Sequence, residues 1–255
     1  MKPLNLDLLC DPATRSPLEL RSQSLVSASS TYRIEEGIPV FAASPDSLNL
    51  KYQRMYDRLA PLYDFAEKAY KRIVKRDIRA FLAEEFELRP RMRILEVSIG
   101  TGANLRLLPP DAEIHGLDLS MGMLRACRRN LRRTHREAVL YQGEAERLPF
   151  RDNSFDLVFH VGGINFFHDR RRALQEMLRV ARPGTKLVVS DETEEVVAGI
   201  YQRIPFVNRF YRNRTAPVVS PAGLLPESAA NVSFRTVNRG RLYSLTFRKP
   251  APRSQ

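Results

Sequence analysis

The sequence predicts an α/β fold: a doubly wound, mostly parallel sheet, with a C-terminal antiparallel hairpin and a small strand-rich unit in front. Three observations predict it. After Arg89-Pro90, short apolar runs alternate with segments whose apolar residues recur at helical spacing. The first run leads into Gly100-Thr101-Gly102 and the second ends on Asp118, and in such sheets ligands gather at strand ends of that kind. The composition is that of a globular chain able to bury a sizeable core, with 255 residues, 43% apolar and 27% charged. Two cysteines, Cys10 and Cys127, give no disulfide framework and point to a reducing compartment. The chain has no apolar run of about 18 residues to span a bilayer, and Met1 to Cys10 has no export-signal core. A cytoplasmic protein is expected.

The boundary is placed at residue 45, so that 1–45 form the small unit and 46–255 the main domain. In the first unit, Leu4 to Leu9 precede the turn at Cys10-Asp11-Pro12. Leu18-Glu19-Leu20 and Tyr32-Arg33-Ile34 then read as brief strands around a Ser-rich stretch, and Ser44-Pro45-Asp46-Ser47 reads as a linker. From Leu50 to Phe86 the spacing is helical, broken at Pro61. Phe65, Ala69, Ile73, Ile78 and Phe81 make its buried stripe, with Lys71, Arg72, Lys75, Arg76 and Arg79 on the solvated side.

In the main domain, 93–97, 113–117, 139–142, 155–160 and 186–190 read as strands. Ser120 caps a helix with Leu124, Cys127 and Leu131 inward, and arginines 125, 128, 129, 132, 133 and 136 outward. Asp169 caps another, with Leu174, Met177 and Leu178 inward, which stops at Pro183-Gly184. Residues 231–237 and 241–247 form a hairpin around Asn238-Arg239-Gly240.

At the first strand end, Gly100 and Gly102 allow close approach of the backbone to a ligand. Asp118 follows Glu96 by 22 residues, where a carboxylate can take both hydroxyls of a ribose. A dinucleotide fingerprint needs a third glycine where this chain has Leu105, and Pro109-Pro110 cut short the helix whose dipole a pyrophosphate would use. No Gly-Lys-Ser/Thr follows, which excludes a phosphate-binding loop. The loop suits an adenosine ligand without phosphates.

Five segments occur in order across residues 50–190: Glu-x-x-x-Gly-x-Gly (96–102), Gly116-Leu117-Asp118-Leu119-Ser120-x-x-Met123-Leu124, 143–150 (Gly-Glu-Ala-Glu-Arg-Leu-Pro-Phe), 153–158 (Asn-Ser-Phe-Asp-Leu-Val) and 179–184 (Arg-Val-Ala-Arg-Pro-Gly). This series resembles class I S-adenosylmethionine-dependent methyltransferases, of the type 11 branch that includes ubiquinone/menaquinone-biosynthesis and phospholipid N-methyltransferases. Tyr56 to Asp64 resembles the lid segment of that branch, hinged here at Pro61 and carrying Tyr56, Leu59, Leu62 and Tyr63 on its apolar side. The resemblance implies a seven-stranded Rossmann-like sheet, with S-adenosyl-L-methionine as donor and S-adenosyl-L-homocysteine as product. It assigns Glu96, Ser98, Gly100 and Gly102 to the loop around the methionine part and Asp118 to the ribose. Leu119 and Met123 fall beside the adenine, Glu144 and Ala145 at its edge, and His160 near the methyl group. Ser98 departs from the family, which usually has glycine there.

A sulfonium methyl is already electrophilic, so alignment and exclusion of water matter most. A general base is needed only where the acceptor must lose a proton. His160 and Asp191 are the catalytic candidates by location, and Tyr63 would shape the acceptor side. Plainer readings stand beside these. Glu96 is equally a structural acid, Phe166, Phe167 and His168 packing and capping neighbours, and Asp191-Glu192 an acidic loop.

The first unit, with Leu8-Leu9-Cys10-Asp11-Pro12 and Tyr32-x-Ile34-x-x-Gly37-Ile38-Pro39, resembles the small zinc ribbon that precedes or activates some methyltransferases. Cys10 stands without the further thiolates a tetrahedral site needs, so no metal is expected.

The net charge of +12 suggests a polyanionic partner, although 34 of the 41 cations are Arg, a bias that GC-rich coding also produces. The leading expectation is a small lipophilic or aromatic acceptor such as a quinone, lipid or thiol, for which 164–167 and 200–211 would line a pocket. Peripheral contact with an anionic membrane is compatible with the charge. An rRNA or tRNA methyltransferase is the alternative, but His160-Val161-Gly162-Gly163 replaces the Asn/Asp-Pro-Pro-Tyr/Phe of base methylation. A non-catalytic cofactor-binding partner protein is the third reading, opposed by the intact loop and Asp118.

Overall fold

The computed structural model describes residues 4–41, 50, 53–54, 56–58, 60, 78–199, 217–237 and 239–251. The Pro61 break, the stripe from Phe65 to Ile73, Tyr63, the 44–47 linker and the 200–211 segment lie outside them. Among the described residues, no helix is long and apolar enough to cross a membrane.

A small antiparallel sheet comes first, with β1 (Glu19–Arg21), β2 (Ser24–Val26), β3 (Thr31–Glu35) and β4 (Ile38–Pro39) in chain order. Its second strand falls in the Ser-rich stretch, where only Leu25 and Val26 carry an apolar signal. Leu6–Leu8 form a 3-10 turn capped by Asn5. Asp11 is buried and fixes the next turn: Oδ1 accepts from the amides of Ala13 and Thr14, and Oδ2 from the Ser27 hydroxyl at 2.6 Å.

The large sheet holds β5 (Arg93–Val97), β6 (Glu113–Asp118), β7 (Val139–Gln142), β8 (Leu157–Val161), β9 (Lys186–Glu192), β10 (Ala230–Val237) and β11 (Leu242–Arg248), in the order β10-β11-β9-β8-β5-β6-β7. Strands β5 to β9 pair in parallel, and β11 and β10 add in antiparallel fashion. The chain winds outward through β6 and β7 and then returns to the other side of β5. The C-terminal ends of β5 and β8 therefore flank the switch point, where such sheets open a crevice.

Alternation along the strands gives the sheet two buried faces. Leu95, Val158 and Val189 face α3 (Arg170–Val180), on the side where Leu8, Leu9, Leu18 and Leu25 of the first unit also pack. Ile94, Leu157, Phe159 and Val188 face α1 (Ile78–Glu85) and α2 (Met121–Arg133), which supply Leu82, Leu124, Cys127 and Leu131. The two predicted caps are present, with Ser120 Oγ accepting from Met123 N and Asp169 Oδ1 from Arg172 N. A short helix, α4 (Glu194–Gly199), follows β9.

The structure corrects three expectations. Strand β8 begins at Leu157 rather than Phe155, because Phe155 bridges Ala181 instead of joining the ladder. Strand β9 extends through Asp191 and Glu192, which pair with Tyr243 and Leu242 of β11, so the acidic pair is strand and not loop. The arginines of α2 and just after it are not uniformly solvated. Arg125 and Arg128 bind Glu35 and Glu36 of the first unit, and Arg136 donates to the carbonyls of Leu105, Leu108 and Pro109.

The first unit is tied down by backbone as well. Cys10 N donates to Pro149 O, Arg151 N to Leu8 O, and Phe41 N to Gln142 O at 2.7 Å. Arg15 also anchors it to the buried Glu176 of α3, which accepts as well from two nitrogens of Arg179 and from Leu148 N. Burial pushes this carboxyl up, but the bonds from Arg179 and Arg15 outweigh it and hold it below its ordinary value. Its contribution to stability is complete above the unfolded carboxylate range and is lost as the pH falls through the depressed folded value. Glu176→Gln should cost about 3 kcal/mol in urea denaturation at neutral pH, the usual size for breaking a buried pair. Glu19→Gln, which breaks the exposed pair with Arg21, should cost less than about 1 kcal/mol in the same measurement.

Candidate functional site

The crevice at the switch point is floored by the loop after β5. Ser98, Gly100 and Gly102 all take left-handed φ, at 61°, 56° and 78°, so the chain turns tightly beneath the opening, with Gly102 N bonded to the Ile99 carbonyl. A Cβ on Gly100 would meet nothing within 4 Å, so that glycine serves the backbone conformation; one on Gly102 would stand 2.8 Å from Cys127 Sγ, so that glycine lets α2 pack. Only a 3-10 turn, Leu105–Leu107, follows, in keeping with Pro109-Pro110.

Asp118 closes the far side. Its Oδ2 accepts from Gly100 N at 2.8 Å and its Oδ1 from Ser120 N at 2.9 Å. Burial pushes the carboxyl up to about 6, against the pull of those two amides. Leu119 and Met123 flank it in the cleft wall, and Glu144 and Ala145 stand across from them after β7. On the β8 side the wall is Val161, Gly162 and Gly163, then Phe166 and Phe167, with Tyr56 reaching over from the N-terminal side.

Of the residues expected at the site, Ser98, Gly100, Asp118, Leu119, Met123, Glu144 and Ala145 line this one cleft. Four others support it without lining it. Glu96 is buried beneath the loop, where Oε1 accepts from Asn104 Nδ2 at 2.8 Å. Gly102 packs on α2. His160 is fully buried, edge-on to Phe167 at 5.0 Å. Its Nδ1 carries the proton, because it lies 2.9 Å from the Val97 carbonyl, and Nε2 has no partner among the described residues. Burial lowers this ring to about 4, so it is neutral. Asp191 is buried behind the 162–166 loop and accepts from Ile164 N at 3.0 Å and Asn165 Nδ2 at 3.4 Å. Burial and the adjacent Glu192 push its carboxyl well above the ordinary range. Tyr63 lies outside the described residues.

Sequence reasoning did not include Tyr56 or Glu146 among the site residues. Both line the cleft, and Glu146 also accepts from Asp169 N. Tyr56 carried a signal in the lid-like segment, whereas Glu146 carried none beyond its place beside Glu144.

A family model described as a methyltransferase domain matches residues 95–189. The ubiquinone/menaquinone biosynthesis C-methyltransferase UbiE of Syntrophotalea carbinolica is 33% identical over 182 residues, 69% of this chain and 73% of that protein. The demethylmenaquinone methyltransferase of Renibacterium salmoninarum is 35% identical over 150 residues, 58% of this chain and 62% of its own length. In fold, a SAM-dependent methyltransferase from Aquifex aeolicus superposes with a TM-score of 0.54 at 17% identity, over 70% of this chain and 92% of that one.

Sheet order, glycine loop and carboxylate together define a class I S-adenosylmethionine-dependent methyltransferase. Within that class the chain belongs to the UbiE-type methyltransferase family, and S-adenosylmethionine is its methyl donor. The cleft fits this donor, with open space above Gly100 and a buried carboxylate beside it.

If Asp118 receives the ribose hydroxyls, it must be ionised to accept both. The affinity for S-adenosylhomocysteine should then fall as the pH drops below about 6, by up to about tenfold per unit. Calorimetry between pH 5 and 8 checks this, and Asp118→Asn should bind weakly with a flat profile over that range.

Proposed function

We propose that the chain transfers a methyl group to the ring of a small, lipophilic aromatic acceptor of the demethylquinol class. The observation that carries this reading is the wall beside Gly162-Gly163. Tyr56 stands edge-on to Phe166, with centroids 6.1 Å apart and planes at 84°, and Phe167 continues the wall. Aromatic edges and faces of this kind accommodate a flat ring. The two glycines, with φ of 81° and 94°, offer bare backbone for it to lie against. The names of the relatives, a ubiquinone/menaquinone C-methyltransferase and a demethylmenaquinone methyltransferase, support the same acceptor class.

On the donor side, Ser98 and Gly100 take the methionine part, Asp118 the ribose, Leu119 and Met123 the adenine faces, and Glu144 and Ala145 its edge. When bound, S-adenosylmethionine supplies an electrophilic sulfonium methyl. The wall residues Tyr56, Phe166 and Phe167 align the acceptor and exclude water. Glu96 and His160 act beneath them, holding Asn104 and the Val97 carbonyl at the root of the loop. Asp191 holds the 164–165 turn that carries Phe166. The RNA alternative gains nothing from the exposed Arg129, Arg132 and Arg133, which lie on the later turns of α2, about 13 Å or more along its axis from Ser120.

Purified protein given labelled S-adenosylmethionine and a short-chain demethylmenaquinol should return quinol heavier by one methyl group. Transfer to an rRNA fragment with none to the quinol would reverse the reading. Gly162→Val should abolish transfer while S-adenosylhomocysteine still binds, because a side chain there enters open cleft space from a strained φ.

A further inference from the structure

We propose that Asp57 is a positioning residue, clamped on the first turn of α2 so that Tyr56 is held across the cleft mouth as its acceptor-side wall. What Tyr56 touches rests on the acceptor reading above; the clamp itself rests on geometry.

Asp57 Oδ1 accepts from the Ser120 hydroxyl at 2.6 Å and from Gly122 N at 2.8 Å. It thereby satisfies one of the helix amides that have no intrahelical partner and sits at the positive end of the dipole. The Ser120 Oγ that donates to Asp57 also accepts from Met123 N, and Ser120 N donates to Asp118. Asp118 in turn accepts from Gly100 N. A continuous hydrogen-bonded chain therefore runs from the N-terminal segment through the helix cap to the glycine loop.

A second observation is independent of these bonds. Apart from proline, glycine is the poorest helix former, yet Gly122 occupies the first turn of α2. A Cβ there would stand 3.0 Å from Asp57 Cα and 3.2 Å from Ala60 Cβ. The close passage of Asp57 and Ala60 accounts for the glycine. On the opposite side of the segment, Tyr56 meets Phe166, and its hydroxyl stands 3.7 Å from where a Cβ on Gly163 would be. Adjacent residues thus grip the donor half of the cleft and roof the acceptor half. Neither contact of Asp57 is to the reacting atoms.

The test uses the full chain with Asp57→Ala, Asp57→Asn, Gly122→Ala, Tyr56→Ala and the Asp57→Ala/Tyr56→Ala pair. The readouts are KM and kcat for a short-chain demethylmenaquinol, S-adenosylhomocysteine affinity, and trypsin cleavage after Arg54 and Arg58 relative to Arg170–Arg172. Asp57→Ala should raise the quinol KM about tenfold, the scale of one net hydrogen bond to a charged group. It should also speed cleavage after Arg54 and Arg58 about fivefold, with that at Arg170–Arg172 unchanged, as expected for a local opening. Asp57→Asn should recover part of both effects, since its amide oxygen still accepts. Gly122→Ala should reproduce Asp57→Ala although alanine favours the helix, and the double variant should be no worse in KM than Tyr56→Ala alone. Additive losses in the double variant, or wild-type KM and cleavage in Gly122→Ala, would overturn the clamp. Wild-type protein that binds S-adenosylhomocysteine but leaves the quinol unmethylated overturns the acceptor reading alone. The cleavage ratios of the same variants then decide the clamp.

Discussion

The site depends on one carboxylate that two separate elements must satisfy. Asp118 lies at the end of β6, almost out of reach of water, with each oxygen committed to a backbone amide: Gly100 from the loop after β5 and Ser120 from the entry to α2. A buried acceptor left without such donors is costly. The left-handed turns at Ser98 and Gly100 and the extended backbone at Ser120 are therefore parts of one arrangement. The carboxylate held by these two amides also lines the cleft.

Carboxylates tie elements together elsewhere in this protein too. Glu176 joins α3 to the first unit, Glu85 joins α1 to Lys186 of β9 and Arg235 of β10, and Asp191 joins β9 to the loop before α3. Much of the arginine is committed in this way. Arg15, Arg125, Arg128, Arg136 and Arg179 all hold partners within the fold. The total of 41 cations therefore overstates how many are free to meet a polyanion, although such pairing leaves the excess of 12 untouched.

The large sheet was legible because its signals are local. Short apolar runs mark β5 and β7 to the residue, and Ser120 and Asp169 announce their helices by capping chemistry that needs no tertiary context. Asp118 and the glycine loop were legible for the same reason. What the sequence hid depends on neighbours. Residues 191–192 look like an acidic loop until β11 pairs beside them. His160 looks like a cleft residue until the Val97 carbonyl turns it inward. Asp57 carries no sign of its partner 63 residues away. Glu146 reads as one acid among several until the fold places it in the wall.

Strand β7 is the outermost strand of the large sheet on its parallel side. An outermost strand carries a row of free amides and carbonyls that can template pairing with another chain. Here the residues after β4 meet its last residue, with Val40 bridging Gln142 in parallel and Phe41 N bonded to the Gln142 carbonyl. The first unit thus covers the C-terminal end of that edge. A chain trimmed to the methyltransferase sheet would keep every cleft residue from Ser98 to Phe167. It would also present β7 as an open seam, prone to self-association through backbone pairing rather than through any apolar patch.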